Sequence, residues 1–224
     1  MTETLSGDQA RDIAKEWLEC EPDLKNREEI EALLAGPESE LIQRFTGHLE
    51  FGTAGLRGPL GAGPQRMNRP LVQMTAAAIA QRLLEDDQKE SPLVVIGFDA
   101  RKQSDVFASD TARVLANQNI RCVLLPKALP TPVLAFSVLQ INASAGIMVT
   151  ASHNPRQDNG YKVYWKDGAQ INTPLDKEIS TYLDGIKPNE VKLAPLGSPL
   201  TVSYTHLRAH ETVLDLVCRL LLEK

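Results

Sequence analysis

An α/β layered domain preceded by a helical extension is predicted by three observations. Residues 93–98, 121–125 and 145–149 are strand-like runs, the first and last continuously apolar. The segments between them, 104–118 and 131 to about 140, read as helices, the second opened by Thr131-Pro132. The resulting β-α-β-α-β order is that of a sheet layered against helices. Ahead of it, residues 1–48 carry helix signals.

In chain order, Ser6-Gly7-Asp8-Gln9 has the form of a capping box, and Ala10, Ile13, Ala14, Trp17 and Leu18 make one apolar stripe. Residues 6–19 therefore read as a helix, which Pro22 ends. Asn26-Arg27-Glu28-Glu29 looks like a second cap ahead of Ile30, Leu33 and Leu34, and Gly36-Pro37 closes that helix. A third short helix is expected over 38–45. This front shows no chemistry. Residues 51–58 are glycine-rich, so their N–H groups could nest around an oxyanion. Their spacing fits neither a Walker A loop nor a dinucleotide fingerprint, and such turns are more often just turns. Arg57 at the centre is the residue of interest, because a guanidinium grips phosphate bidentately. Residues 61–68 read as a strand-turn region, where Arg66 and the following Arg69 add positive potential or are simply solvated. Residues 70–86 read as a helix with Pro70 in its first turn and Val72, Ala76, Ile79 and Leu83 on one face. Asp99-Ala100-Arg101 ends the strand at 93–98; a local Asp–Arg pair is the plain reading. Thr173-Pro174-Leu175-Asp176 starts a last helix that Gly185 ends. Residues 193–202 look like a linker. Residues 203–224 differ in character: His206, Arg208 and His210 precede an apolar run at 213–222. Two histidines at i and i+4 can suit zinc on a helix, but no third ligand accompanies them. No function is built on this tail.

Bulk properties exclude several classes. A chain of 224 residues holds one domain or somewhat more. Its net charge of -5 argues against a general nucleic-acid binder. Cys20, Cys122 and Cys218 are far apart and odd in number, which gives neither a metal spacing nor a disulfide framework. That usage, with a polar acidic N-terminus and no apolar run near the ~20 residues of a membrane span, leads to a cytoplasmic expectation without membrane partners. Asn142-Ala143-Ser144 then matches a glycosylation sequon by chance.

The chemistry concentrates in residues 148–162. The apolar run at 145–149 feeds Ser152 and His153, and Asn154-Pro155 stops the strand because proline has no N–H for a ladder. Asp158-Asn159-Gly160 reads as a second turn before β-like composition resumes at Tyr161. A serine and a histidine thus sit where a buried strand breaks into a loop, at the sheet edge where ligands of open α/β folds bind. A serine hydroxyl is a weak nucleophile without activation. Adjacent side chains of an extended backbone point apart, and the flanks lack the G-x-S-x-G elbow, so a serine-hydrolase dyad is the lesser reading.

Thr150-Ala151-Ser152-His153-Asn154-Pro155, followed by Asn159-Gly160-Tyr161-Lys162, closely resembles the active-site serine loop of the α-D-phosphohexomutase superfamily. The match is long and gap-free. Residues 51–58 look like the family's first active-site loop, and Gly97-Phe98-Asp99-Ala100-Arg101 resembles its second signature. The resemblance covers roughly 49–185 and is nearest to the phosphoglucomutase-2 and phosphopentomutase branch. It implies a three-layer α/β/α domain with a mixed, mostly parallel sheet over 49–202, behind a helical extension at 1–48 and ahead of an atypical tail at 203–224. It also implies that Ser152 carries a phosphoryl group and passes it to a sugar phosphate. Phosphate would move between carbons 1 and 5 of ribose or deoxyribose, or between carbons 1 and 6 of glucose, through a bisphosphate.

In that reading Lys162 is the general acid/base, His153 supports a phosphate, and Arg57, Arg101, Asn154 and Asn159 bind substrate or phosphate. The resemblance further implies Mg2+, held in part through the phosphate on Ser152, and a sugar bisphosphate activator. Ribose or deoxyribose 1- or 5-phosphate and glucose 1- or 6-phosphate are the expected partners of a monomeric chain. A phosphoserine brings about -1.5 to -2 charge, so cations must surround it. The family's Asp-Gly-Asp-Gly-Asp-Arg-type metal string does not occur in the sequence. This chain alone is accordingly expected to be inactive, or to act as a non-catalytic sugar-phosphate binder.

Overall fold

The computed structural model describes residues 5–51, 55–86 and 92–203. Residues 52–54 of the glycine-rich stretch and the tail with His206, Arg208 and His210 lie outside the described residues.

The front folds into three helices, α1 (Gly7–Cys20), α2 (Leu24–Ala35) and α3 (Glu38–Phe45). Ser6 caps α1 with the reciprocal bonds of a capping box, as its spacing predicts. The cap of α2 is Asp23, not Asn26: Asp23 Oδ1 accepts from the N–H groups of Lys25 (2.9 Å) and Asn26 (3.4 Å). Asn26 instead lies in the first turn and donates its amide to Glu21. Trp17, Ile30, Leu41 and Phe45 are buried in the same cluster as Leu56, Leu71, Ile96 and Tyr161. The front is therefore continuous with the core of the α/β layers.

Glu21 sits in that seam with a relative exposure of 1%. Its carboxylate accepts from the Asp23 N–H (3.0 Å) and the Asn26 amide (3.2 Å), but burial outweighs these bonds and pushes its pKa from 4.5 up to about 7. Between about pH 4.5 and about pH 7 the folded chain keeps a proton that the unfolded chain releases, so stability falls as pH rises. Glu21→Gln is expected to flatten the stability–pH curve in that window and to gain on the order of a few kcal/mol above it. Denaturant titrations of both proteins at pH 5 and pH 8 check this; equal pH slopes would refute it.

The remaining elements are β1 (Leu56–Pro59), α4 (Arg69–Asp86), β2 (Leu93–Phe98), α5 (Ser104–Asn117), β3 (Arg121–Leu124), α6 (Thr131–Gln140), β4 (Ala145–Val149), β5 (Asp158–Trp165), α7 (Leu175–Asp184) and β6 (Thr201–Ser203). They form one sheet in the order β1-β5-β4-β2-β3-β6. β4, β2, β3 and β6 run parallel; β5 is antiparallel to both β4 and β1. Side chains alternate between the faces. Ile96, Ile147, Val149, Tyr161 and Val163 join α4, α5 and α7 in the larger core, and Val95, Met148 and Tyr164 meet Leu134 and Val138 of α6 on the other face. This is the mixed three-layer architecture expected. Among the described residues, no helix is long and apolar enough to cross a membrane.

Three local expectations are corrected. Asp158-Asn159-Gly160 is the first part of β5, not a turn, because those residues pair with β1. Residues 193–202 are not a free linker: Ala194 exchanges bonds with Arg113, whose Nε donates to its carbonyl at 2.8 Å, and β6 pairs with β3. Thr173 does not cap α7; its hydroxyl donates to the Asp176 carboxylate at 3.3 Å.

Candidate active site

The buried strand β4 ends at Val149, and the chain turns there under its own hydrogen bonds. The Thr150 N–H donates to the Gly160 carbonyl (3.0 Å), and the Thr150 hydroxyl accepts from the Ser152 N–H (2.9 Å). Asn154 N–H bonds Ala151 O at 3.1 Å, and Asp158 N–H bonds Pro155 O at 3.0 Å. Ser152 is exposed and left-handed, with φ of 57°. A non-glycine residue there costs about 1–3 kcal/mol, and such strain gathers at functional sites.

Arg57 reaches this loop from β1, where its Nη1 donates to Asn154 Oδ1 at 3.2 Å. It stands opposite Gly160 in the β1–β5 pair. Residues 160 and 162 share a face of β5, so Lys162 lies diagonally beside Arg57. Burial lowers the Lys162 pKa, and the neighbouring Arg57 charge lowers it further. A lysine of this kind holds a neutral amine more readily than an exposed one. Gly160 makes the approach possible: a Cβ there would lie 2.7 Å from Thr150 O, 2.8 Å from Leu56 O and 2.9 Å from Arg57 Cγ.

Arg57, Lys162, Asn154 and Ser152 are thus brought to one end of the sheet. His153 is exposed and, among the described residues, makes no hydrogen bond to Ser152. That geometry gives no support to a hydrolase dyad. Arg101 and Asn159 lie beneath the loop. Asn159 is fully buried and donates to Lys102 O (2.9 Å) and Ser104 Oγ (3.0 Å), so direct phosphate contact by Asn159 does not fit. Arg101 spends its guanidinium on loop carbonyls rather than presenting it to a ligand. The Asp99–Arg101 pair read from the sequence is present, with Asp99 Oδ1 accepting from the Arg101 N–H (3.0 Å) and Oδ2 lying 3.3 Å from Nε. What the sequence reading missed is Ser104, whose Oγ donates to Asp99 Oδ1 (2.8 Å). An acid at a strand end, with a hydroxyl five residues on at a helix start, was the available signal. A cleft of about 1030 Å³ opens beside the loop, lined by Leu60, Asp99, Lys102, Asn154 and Arg156 among others.

Residues 48–190 match the model of the phosphoglucomutase/phosphomannomutase α/β/α domain I. The chain belongs to this family. A Haemophilus influenzae protein described as a probable phosphomannomutase is 46% identical over 132 residues, which are 58% of this chain and 27% of that protein. The human phosphopentomutase is 40% identical over 178 residues, 75% of this chain and 29% of the relative. A crystal structure described as a putative phosphomannomutase from Thermus thermophilus superposes with a TM-score of 0.58 at 31% identity, covering 70% of this chain and 33% of that one. The chain therefore spans about a third or less of the length of these phosphomutases. The match takes in β1, the serine loop, β5 and α7, and leaves α1, α2 and α3 ahead of it.

Proposed function

We propose that this chain supplies the nucleophile-bearing part of a phosphosugar mutase, with Ser152 as the phosphorylated residue. One observation carries the reading: an exposed, left-handed serine stands at the end of the sheet where Arg57 and a lysine of lowered pKa meet. In the first half-reaction the P–Oγ bond of phosphoserine breaks and a bond forms from phosphorus to a sugar hydroxyl oxygen. Oγ leaves as an oxyanion that Arg57 helps to offset and that attacks in the second half-reaction. That hydroxyl gives its proton to neutral Lys162 as the bisphosphate forms. In the second, the bisphosphate returns its other phosphoryl group to Ser152, and Lys162 protonates the departing sugar oxygen. Such transfers depend on alignment and charge neutralisation, which Arg57 supplies in part. The sugars proposed are ribose or deoxyribose, exchanging between carbons 1 and 5, and glucose, between carbons 1 and 6; a bisphosphate acts as primer.

Mg2+ is generally used in the phosphoglucomutase family. Among the described residues, no three His, Cys, Asp or Glu side chains stand together to hold a metal ion, so the group does not fit on these residues alone. Residues 1–224 by themselves are proposed to bind sugar phosphates without converting them.

The test is to incubate a full-length mutase carrying this domain with a sugar bisphosphate and map phosphate by mass spectrometry. Phosphate is expected on Ser152 and nowhere in Ser152→Ala. Stable phosphate on another residue, with Ser152→Ala fully active, would overturn the reading. Conversion of ribose 1-phosphate by the purified 224-residue chain, lost in Ser152→Ala, would overturn the proposed inactivity.

A further inference from the structure

One guanidinium gathers the backbone of the whole serine loop. Arg101 Nη1 donates to Pro155 O (2.7 Å) and Asp158 O (3.1 Å), and its Nη2 donates to Ser152 O (2.9 Å) and Asn154 O (2.8 Å). Its Nε lies 3.3 Å from Asp99 Oδ2, so the fork is aimed from the β2–α5 turn. Four carbonyls from a seven-residue stretch converge on a planar cation that offers its donors in a fixed fork. In a trans peptide the C=O and the next N–H point in opposite directions. Drawing the carbonyls of Ser152 and Pro155 onto Arg101 therefore turns the N–H groups of His153 and Arg156 away from it. Among the described residues, neither N–H has a protein acceptor. The residue between them in the clamp adds no donor on that side, because the Asn154 carbonyl precedes Pro155.

We infer that Arg101 is a positioning residue, which holds Ser152 in its left-handed conformation and presents the His153 and Arg156 amides as donors for the phosphoryl group on Ser152. This rests on the mutase reading for what the amides bind, but not for the clamp itself. The positive charge stays beneath the loop, where it offsets a charged phosphoryl group without touching it. Asp99 aims the fork, and Ser104 and Asn159 tie the turn to β5. Lysine cannot replace this arginine: three donors on one atom do not span four carbonyls.

The experiment compares wild type, Arg101→Lys and Asp99→Asn by amide hydrogen exchange and by NMR of the Ser152 backbone. Asp99→Asn keeps an oxygen for Ser104 and Arg101 N–H but loses the bond to Nε, so it weakens the clamp if Arg101→Lys does not fold. Both variants are expected to speed exchange at the Asn154 and Asp158 amides by about tenfold or more, with α1–α3 protection unchanged. The Ser152 scalar coupling and carbon shifts should move from left-handed values toward an average. Millimolar guanidinium added to Arg101→Ala should restore both signals in part, which a merely structural loss would not show. In a full-length mutase carrying the domain, Arg101→Lys should lower kcat for Ser152 phosphorylation at least about tenfold with KM little changed. Unchanged loop exchange and Ser152 shifts in both variants overturn the clamp. Loosened loops with phosphorylation of Ser152 at the wild-type rate overturn the role of the amides. A wild type never phosphorylated at Ser152 refutes the mutase reading, while the exchange data decide the clamp independently.

Discussion

Lys162→Met is expected to slow turnover of a full-length mutase carrying this domain by about 10²–10⁴-fold, the range typical of a lost general acid/base. Methionine keeps the length and apolar stem of lysine, so β5 and its pairing with Met148 should persist. What it removes is the amine beside Arg57 whose pKa burial and that charge depress. The charge pattern adds a second expectation. Replacing Arg57 by methionine takes away a cation that disfavours protonated Lys162, so the rise of activity with pH should move to higher pH. The comparison is steady-state turnover across pH beside the single-turnover phosphorylation of Ser152. A Lys162→Met enzyme within twofold of wild type would make Lys162 an ordinary strand lysine.

Gly160→Ala should cost about 1–3 kcal/mol or more, and with it the alignment of Arg57. The added methyl meets backbone oxygens on two sides, Thr150 O at 2.7 Å and Leu56 O at 2.8 Å, so either β1 or the loop has to move. Backbone cannot rotate aside as a side-chain end can. For a chain of this size the melting temperature should fall by about 2–4 °C per kcal/mol. Gly185→Ala is the control, since its methyl would meet only Tyr182 O at an ordinary 3.5 Å. Thermal melts and turnover of both variants decide the matter; a Gly160→Ala protein with wild-type stability and activity would show that the crowded junction relaxes freely.

Much of this fold was legible because its helices and parallel strands follow single-chain rules. Ser6 and Gln9 announce the start of α1, and the apolar runs at 93–98 and 145–149 became β2 and β4. Where reading failed, tertiary demands had overwritten composition. Asp158-Asn159-Gly160 looks like a turn because Asn159 is needed as a buried donor to Lys102 and Ser104, and Gly160 as a gap for Arg57. Leu56–Pro59 is too short and glycine-bordered to signal a strand, yet it carries Arg57 against β5. Asp23 takes the α2 cap because its carboxylate accepts from the Lys25 and Asn26 N–H groups, so the helix starts at Leu24 and Asn26 falls inside its first turn. At the site, Ser152, Arg57 and Lys162 were visible through the loop's resemblance to a family. The inward turn of Arg101 was not, since no spacing rule reveals that a cation will meet backbone oxygens fifty residues away.

The pairing of β1 with β5 also sets a timetable. Arg57 and Gly160 are partners across about a hundred residues of chain, whereas the serine loop itself is closed by bonds only a few residues apart. Long closures form late, because their chain entropy is lost before their contacts are gained. During synthesis, Ser152 leaves the ribosome before Lys162, and the strand bearing Arg57 must wait for β5 to receive it. A nascent chain therefore passes through a stage in which Ser152 has emerged but Arg57 and Lys162 have not yet been brought beside its loop. In the mutase reading proposed above, Ser152 would gain Arg57 only when the N-terminal edge strand docks on β5, so completing the sheet and arming the site would be the same event.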